Sequence, residues 1–168
     1  MSNSSGSLNQ IIFSAGRKLI TVISVIVAFS SFAAAQQTEY EYIKTQFHSD
    51  KKTLLMHYMM LSDTQASKFW PVYNNYEKER GELADKRFAN LKIYADQYKT
   101  MTDDQADKMI STFFENNAKE EAIKKKYYNQ MKKTVGARVA ASWIQFEAYL
   151  DAAVRFQLLH SIPFLENK

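Results

Sequence analysis

The chain contains no cysteine, and its 168 residues include only four glycines and two prolines. Without cysteine there is no disulfide framework, no thiolate metal site and no lipid-modified thiol, so packing alone must hold the fold. Beyond residue 36 the only chain-breaking residues are Gly81, Gly136, Pro71 and Pro163. That is too few for the closely spaced turns of a sheet protein, and the chain reads as all-α. HExxH, CxxC, a phosphate-cradling glycine loop and GxSxG are all missing, so enzymatic activity is not expected and no cofactor is implied.

A strong charge of one sign is missing too. The formal net charge is +4, but Arg17 and Lys18 supply two of those charges. All 18 acidic residues and 20 of the 22 basic ones follow residue 35, a net charge of +2 for that segment. A balance so near neutrality argues against nucleic acid as a partner, despite the run Lys124, Lys125, Lys126.

Residues 1–35 read as an export signal. Arg17 and Lys18 form its positive end, Leu19 to Phe29 its apolar run, and Ala33, Ala34 and Ala35 a small-residue cleavage site before Gln36. The apolar run is shorter than a comfortable membrane span. Left uncleaved it would act as an anchor, and only then is a membrane partner expected. Residues 36–168 make one helical domain, and the expected location is the periplasm.

Apolar residues at helical spacing divide that domain into four helices. The first covers Tyr40 to Met60, with Tyr40, Ile43, Phe47, Leu54 and Tyr58 on one side and a break expected at His48, Ser49 and Asp50. The second covers Ser62 to Thr100, with Phe69, Val72, Tyr73, Tyr76, Leu83, Leu91, Tyr94 and Tyr98 inward and a kink expected before Pro71. The third runs from Thr102 to Thr134 with Met109, Phe113, Ile123, Tyr127 and Met131 inward, and Gly136 suits a left-handed cap. The last runs from Arg138 to Ser161 with Val139, Trp143, Phe146, Leu150, Val154 and Leu158 inward, and Pro163 stops it. Short connections make neighbours antiparallel, giving an elongated helical hairpin structure.

The two middle helices begin alike. LSDTQ starts at Leu61 and MTDDQ at Met101. Each places a hydroxyl residue (Ser62, Thr102) three positions before a glutamine (Gln65, Gln105), the spacing of a capping box. Charges interrupt the apolar stripes at four points. Arg80 and Arg87 fall within about 20° of Phe69 on a helical wheel, and Glu120 and Glu147 lie in the stripes of the last two helices. Hairpin register pairs Arg87 with Glu120 and Arg80 with Glu147, a partly buried network that fixes how the helices align. Long side chains that reach from the rim to water are the alternative.

MHYMM offers a soft-ligand alternative. Met56 and Met60 are one turn apart, with His57 between them, a set suited to copper(I) if these side chains do not simply pack.

The paired LSDTQ and MTDDQ segments resemble the duplicated LTxxQ motif of Spy/CpxP-like periplasmic proteins, which are small helical chaperones, stress-signalling adaptors and metal sensors. The chain is similar in particular to an exported branch with an FWPxY segment, matched by Phe69, Trp70, Pro71, Val72 and Tyr73. That branch ends in a QxE helix and a terminal Ile-Pro, matched by Gln145, Glu147, Leu150, Asp151, Ala152, Arg155, Ile162 and Pro163. The first motif has Ser for Thr, the second Met for Leu, and VGARVAAS replaces a proline-rich helix start. The resemblance implies a helical hairpin that pairs antiparallel as a homodimer. It also implies a concave basic and apolar surface that holds unfolded or partly folded exported proteins without ATP, or engages an envelope signalling protein in a stress response. Lys119, Lys124, Lys125, Lys126, Lys132, Lys133 and Arg138 are the basic residues available for such a surface. A metal-responsive sensor using the Met56 region and a structural partner of a membrane protein are the alternatives.

Overall fold

A computed structural model describes residues 33–161 and 163–165. Residues 1–32, including the apolar run from Leu19 to Phe29, lie outside the described residues, as do the side chains of Tyr40, Ile43 and Leu158. Four α-helices follow one another: α1 (Ala33–Met59), α2 (Asp63–Gln97), α3 (Asp103–Val135) and α4 (Ala137–Ser161). Strands are absent among the described residues. None of these helices is long and apolar enough to cross a membrane.

Local chemistry sets the helix starts. The Ser62 hydroxyl accepts from the Gln65 backbone N–H at 3.3 Å, while the Ser62 N–H donates to the Gln65 side-chain oxygen at 3.1 Å. At α3 the Gln105 N–H donates to the Thr102 hydroxyl at 3.3 Å, and the Thr102 N–H donates to the Gln105 oxygen at 2.9 Å. Both repeats are complete capping boxes, and each satisfies two donors that a helix start leaves open. Helix α2 continues through Pro71.

Two expectations change. Helix α1 runs unbroken through His48, Ser49 and Asp50 and begins before Tyr40. The side chains there reinforce the helix, since Gln46 donates to Asp50 at 3.0 Å and the Thr53 hydroxyl to the Ser49 carbonyl at 3.0 Å. Gly136 has φ 91° as a positive-φ glycine should, but its ψ of 158° lies outside the left-handed helical region. This extended mirror conformation is open essentially to glycine alone, so the corner between α3 and α4 is glycine-dependent.

The chain divides into two compact units. The first joins α1 to the later stretch of α4, residues 145–161. Its core holds Leu54, Leu55, Phe146 and Leu150, with the Tyr58 and Phe146 rings 5.4 Å apart. The second contains α2, α3, residues 137–144 and the described tail. Here α2 and α3 pack along each other as an antiparallel pair. An aromatic chain fills the unit: Phe69 stacks on Tyr73 at 5.7 Å, and Tyr76 meets the edges of Tyr127 at 5.7 Å and Trp143 at 4.9 Å. Edge and offset ring contacts add to the area these large side chains bury. The Tyr94 hydroxyl donates to the Pro163 carbonyl, which ties the tail to α2.

Candidate functional site

Glu120, only 2% exposed, is the electrostatic centre of the α2/α3 pair. Arg87 donates to one of its carboxylate oxygens and, through its other terminal nitrogen, to the Asn117 oxygen at 2.8 Å. Arg80 Nε lies 3.6 Å and Lys124 Nζ 3.8 Å from the second oxygen of Glu120. Three cations therefore surround one buried carboxylate. The expected Arg87–Glu120 pair is present, and the same carboxylate also draws in Arg80 and Lys124.

Glu147 and Lys51 make a second buried pair, in the first unit. Lys51 Nζ donates to Glu147 at 2.7 Å, and both side chains are 1% exposed. Arg80 belongs to the second unit and Glu147 to the first. Lys51 is a site residue the sequence reading missed. It lies four residues after Phe47, three before Leu54 and seven before Tyr58, squarely in the α1 stripe. Expecting a break at His48 to Asp50 hid that position.

The third cluster lines an open polar groove of ≈ 430 Å³ bordered by Asn75, Glu82 and Gln130. There the Glu79 carboxylate accepts from Lys126 Nζ at 2.6 Å and from the Tyr127 hydroxyl at 2.8 Å. Those bonds, from Lys126 first and Tyr127 second, hold the Glu79 pKa below its ordinary value. The bond to Glu79 raises Lys126, and burial followed by the Glu79 bond raises Tyr127. A carboxylate depressed in the folded state stabilises above its unfolded pKa, and that contribution fades as pH falls through the folded value. Glu79→Gln is thus expected to melt below the parent at neutral pH, with the gap closing as pH drops below the ordinary value of 4.5, read from thermal midpoints across pH.

These contacts redistribute the expected basic surface. Lys119 pairs with Glu115 at 3.6 Å, Lys124 with Glu121 at 3.1 Å, and Lys126 with Glu79. Lys125, Lys132, Lys133 and Arg138 are exposed and make no ion pair with a described residue. The expectation that Phe113 points inward is corrected, because it is 51% exposed. Residues of α3 become buried only from Asn116 onward, so its first three turns leave Ile110 (45%), Phe113 and Phe114 (64%) facing water. Ile93, near the end of α2, is 53% exposed.

At the end of α1, Met56, His57 and Met60 are all exposed. Met60 lies just past the helix end, with φ 44° and its N–H still donating to the Met56 carbonyl at 3.4 Å. Among the described residues no three His, Asp or Glu side chains are grouped as metal ligands. No family model, no curated protein and no solved structure matches the chain.

Proposed function

We infer that this is an exported, non-enzymatic binding protein that holds unfolding proteins without ATP, as a periplasmic chaperone or envelope-stress adaptor. One observation carries the reading. The second unit displays large apolar side chains (Ile93, Ile110, Phe113, Phe114) and cations that make no ion pair with a described residue (Lys132, Lys133, Arg138) on the same helical scaffold. Monomeric surfaces rarely expose large contiguous apolar patches, and those that do mark interaction sites. The cations attract acidic segments at long range, and the aromatics then bind whatever apolar surface arrives. The buried charged side chains Lys51, Glu120 and Glu147 stand in ion pairs, which fits a structural role for them. The resemblance of LSDTQ, MTDDQ and FWPVY to Spy/CpxP-like proteins points the same way.

Light scattering from a heat-aggregating client tests this. Aggregation should be suppressed at a near-stoichiometric ratio without nucleotide, and less well at high salt. No suppression at several-fold excess would remove general chaperone action and leave the adaptor role to partner pull-down.

A further inference from the structure

We propose that the exposed side of α3 takes one class of client, an extended segment with a large apolar side chain at its centre, a basic residue on one side and an acidic residue on the other. The proposal rests on the client-binding reading and adds to it which segments are held. Counted at about 100° per residue from Phe114, Asp103, Asp107, Lys125 and Lys132 all fall within about 20° of it, so the five form one straight row. All five are exposed, and neither the two aspartates nor the two lysines make an ion pair with a described residue. Phe114 is 64% exposed and Ile110, a turn before it, 45%. Glu121 also stands in the row, but Lys124 holds it at 3.1 Å, so the stretch beyond Phe114 stays basic.

Helix ends alone do not account for this order. A helix favours acids in its first turn and bases in its last, which covers Asp103 and Lys132. That preference fades within a turn, whereas Asp107 is the fifth residue of α3 and Lys125 stands ten residues before its end. Packing does not account for Phe114 either. The buried residues of α3 (Asn116, Glu120, Tyr127, Met131) lie about 200° to 260° around the helix from it, on the opposite side.

Spacing defines the segment. Asp107 stands about 10 Å to one side of Phe114 along the axis and Lys125 about 16 Å to the other. An extended chain advances about 3.3 Å per residue, so the matching segment carries its cation about three residues from the apolar anchor and its carboxylate about five residues beyond it. Mid-helix backbone groups are already paired, so the charges set how the segment lies. Asp103, Asp104 and Asp107 beside the apolar centre repel an anionic lipid surface, which favours a peptide over a bilayer.

Fluorescence anisotropy with the full chain and four labelled, unstructured peptides tests the proposal. The peptides share a Leu-Phe-Leu centre with Ser and Gly spacers, and carry at the two flanking positions Lys and Glu, two Glu, two Lys or two Ser. At low salt the Lys/Glu peptide should bind about fivefold more tightly than either like-charged one, with the lead shrinking at high salt. Lys125→Asp should cancel its lead over the two-Lys peptide and Asp107→Lys its lead over the two-Glu peptide, with circular dichroism showing each variant folded. Equal binding of all four, tightest binding of the two-Glu peptide, or leads that neither variant moves would overturn this segment class and leave client binding standing. Binding of none would overturn both. Phe114-dependent binding to vesicles of phosphatidylethanolamine and phosphatidylglycerol, with no peptide bound, would assign the row to a lipid surface and overturn the proposal.

Discussion

Replacing Glu147 with glutamine should cost about 3 to 5 kcal/mol of stability, because it leaves the Lys51 ammonium buried opposite a neutral amide. Both side chains are 1% exposed and their charged atoms are 2.7 Å apart, so the Lys51 ammonium is held away from water beside Glu147. In a domain of this length such a loss lowers the thermal midpoint by roughly 10 °C or more. The pair itself need not be a net source of stability, since desolvating two ions offsets much of their attraction. Its cost appears when one partner is removed. Lys51→Met should consequently be as damaging as Glu147→Gln, and the double variant K51M/E147Q should lose less than the sum of the singles by about 1 to 3 kcal/mol, measured in chemical denaturation. A Glu147→Gln protein that melts like its parent would show that the pair does not hold α1 to the later stretch of α4.

Glu120→Gln should destabilise the second unit by about 3 kcal/mol. Here one carboxylate, 2% exposed, faces Arg80, Arg87 and Lys124, so its removal leaves three like charges crowded together. The expected loss sits at the lower end of the buried-pair range because the cations are less confined. The Arg87 side chain is 31% exposed and can swing toward solvent, and Arg80 at 18% can do so to a lesser extent. Removing Arg87 alone should cost less than removing Glu120, since Arg80 and Lys124 continue to neutralise the carboxylate. Equal losses from Arg87→Met and Glu120→Gln would contradict a shared, three-cation arrangement.

The starts of α2 and α3 were legible because their causes are local. The Ser62/Gln65 and Thr102/Gln105 boxes are readable from a spacing of three, and the aromatic stripe of α2 from a period of 3.6. The buried carboxylates stood out for the same reason, as charges within an apolar stripe. What could not be read depends on which side chains meet across helices. Lys126 looks like part of a solvated lysine run, yet Glu79 of α2 holds it. Tyr127 reads as plain core, and its hydroxyl turns out to serve Glu79. Phe113 fits the inward stripe by angle, but angle alone does not supply a neighbouring helix to cover it. His48, Ser49 and Asp50 suggested a break because each is a poor helix former, and the surrounding helix overrides that preference.

The redistribution of the lysines also sharpens the functional account. With Lys119, Lys124 and Lys126 held in ion pairs, the proposed chaperone role assigns long-range attraction to Lys132, Lys133 and Arg138 around the Gly136 corner, together with Lys125. The most direct test is fluorescence anisotropy of a labelled, reduced and unfolded client with the parent and with the variant K132E/K133E, each at low and high salt. The account predicts nucleotide-independent capture by the parent. It predicts about tenfold weaker capture by the reversed variant at low salt, with the difference shrinking to about twofold once salt screens the charges. Failure of the parent to bind, or equal binding by both proteins at low salt, would contradict it.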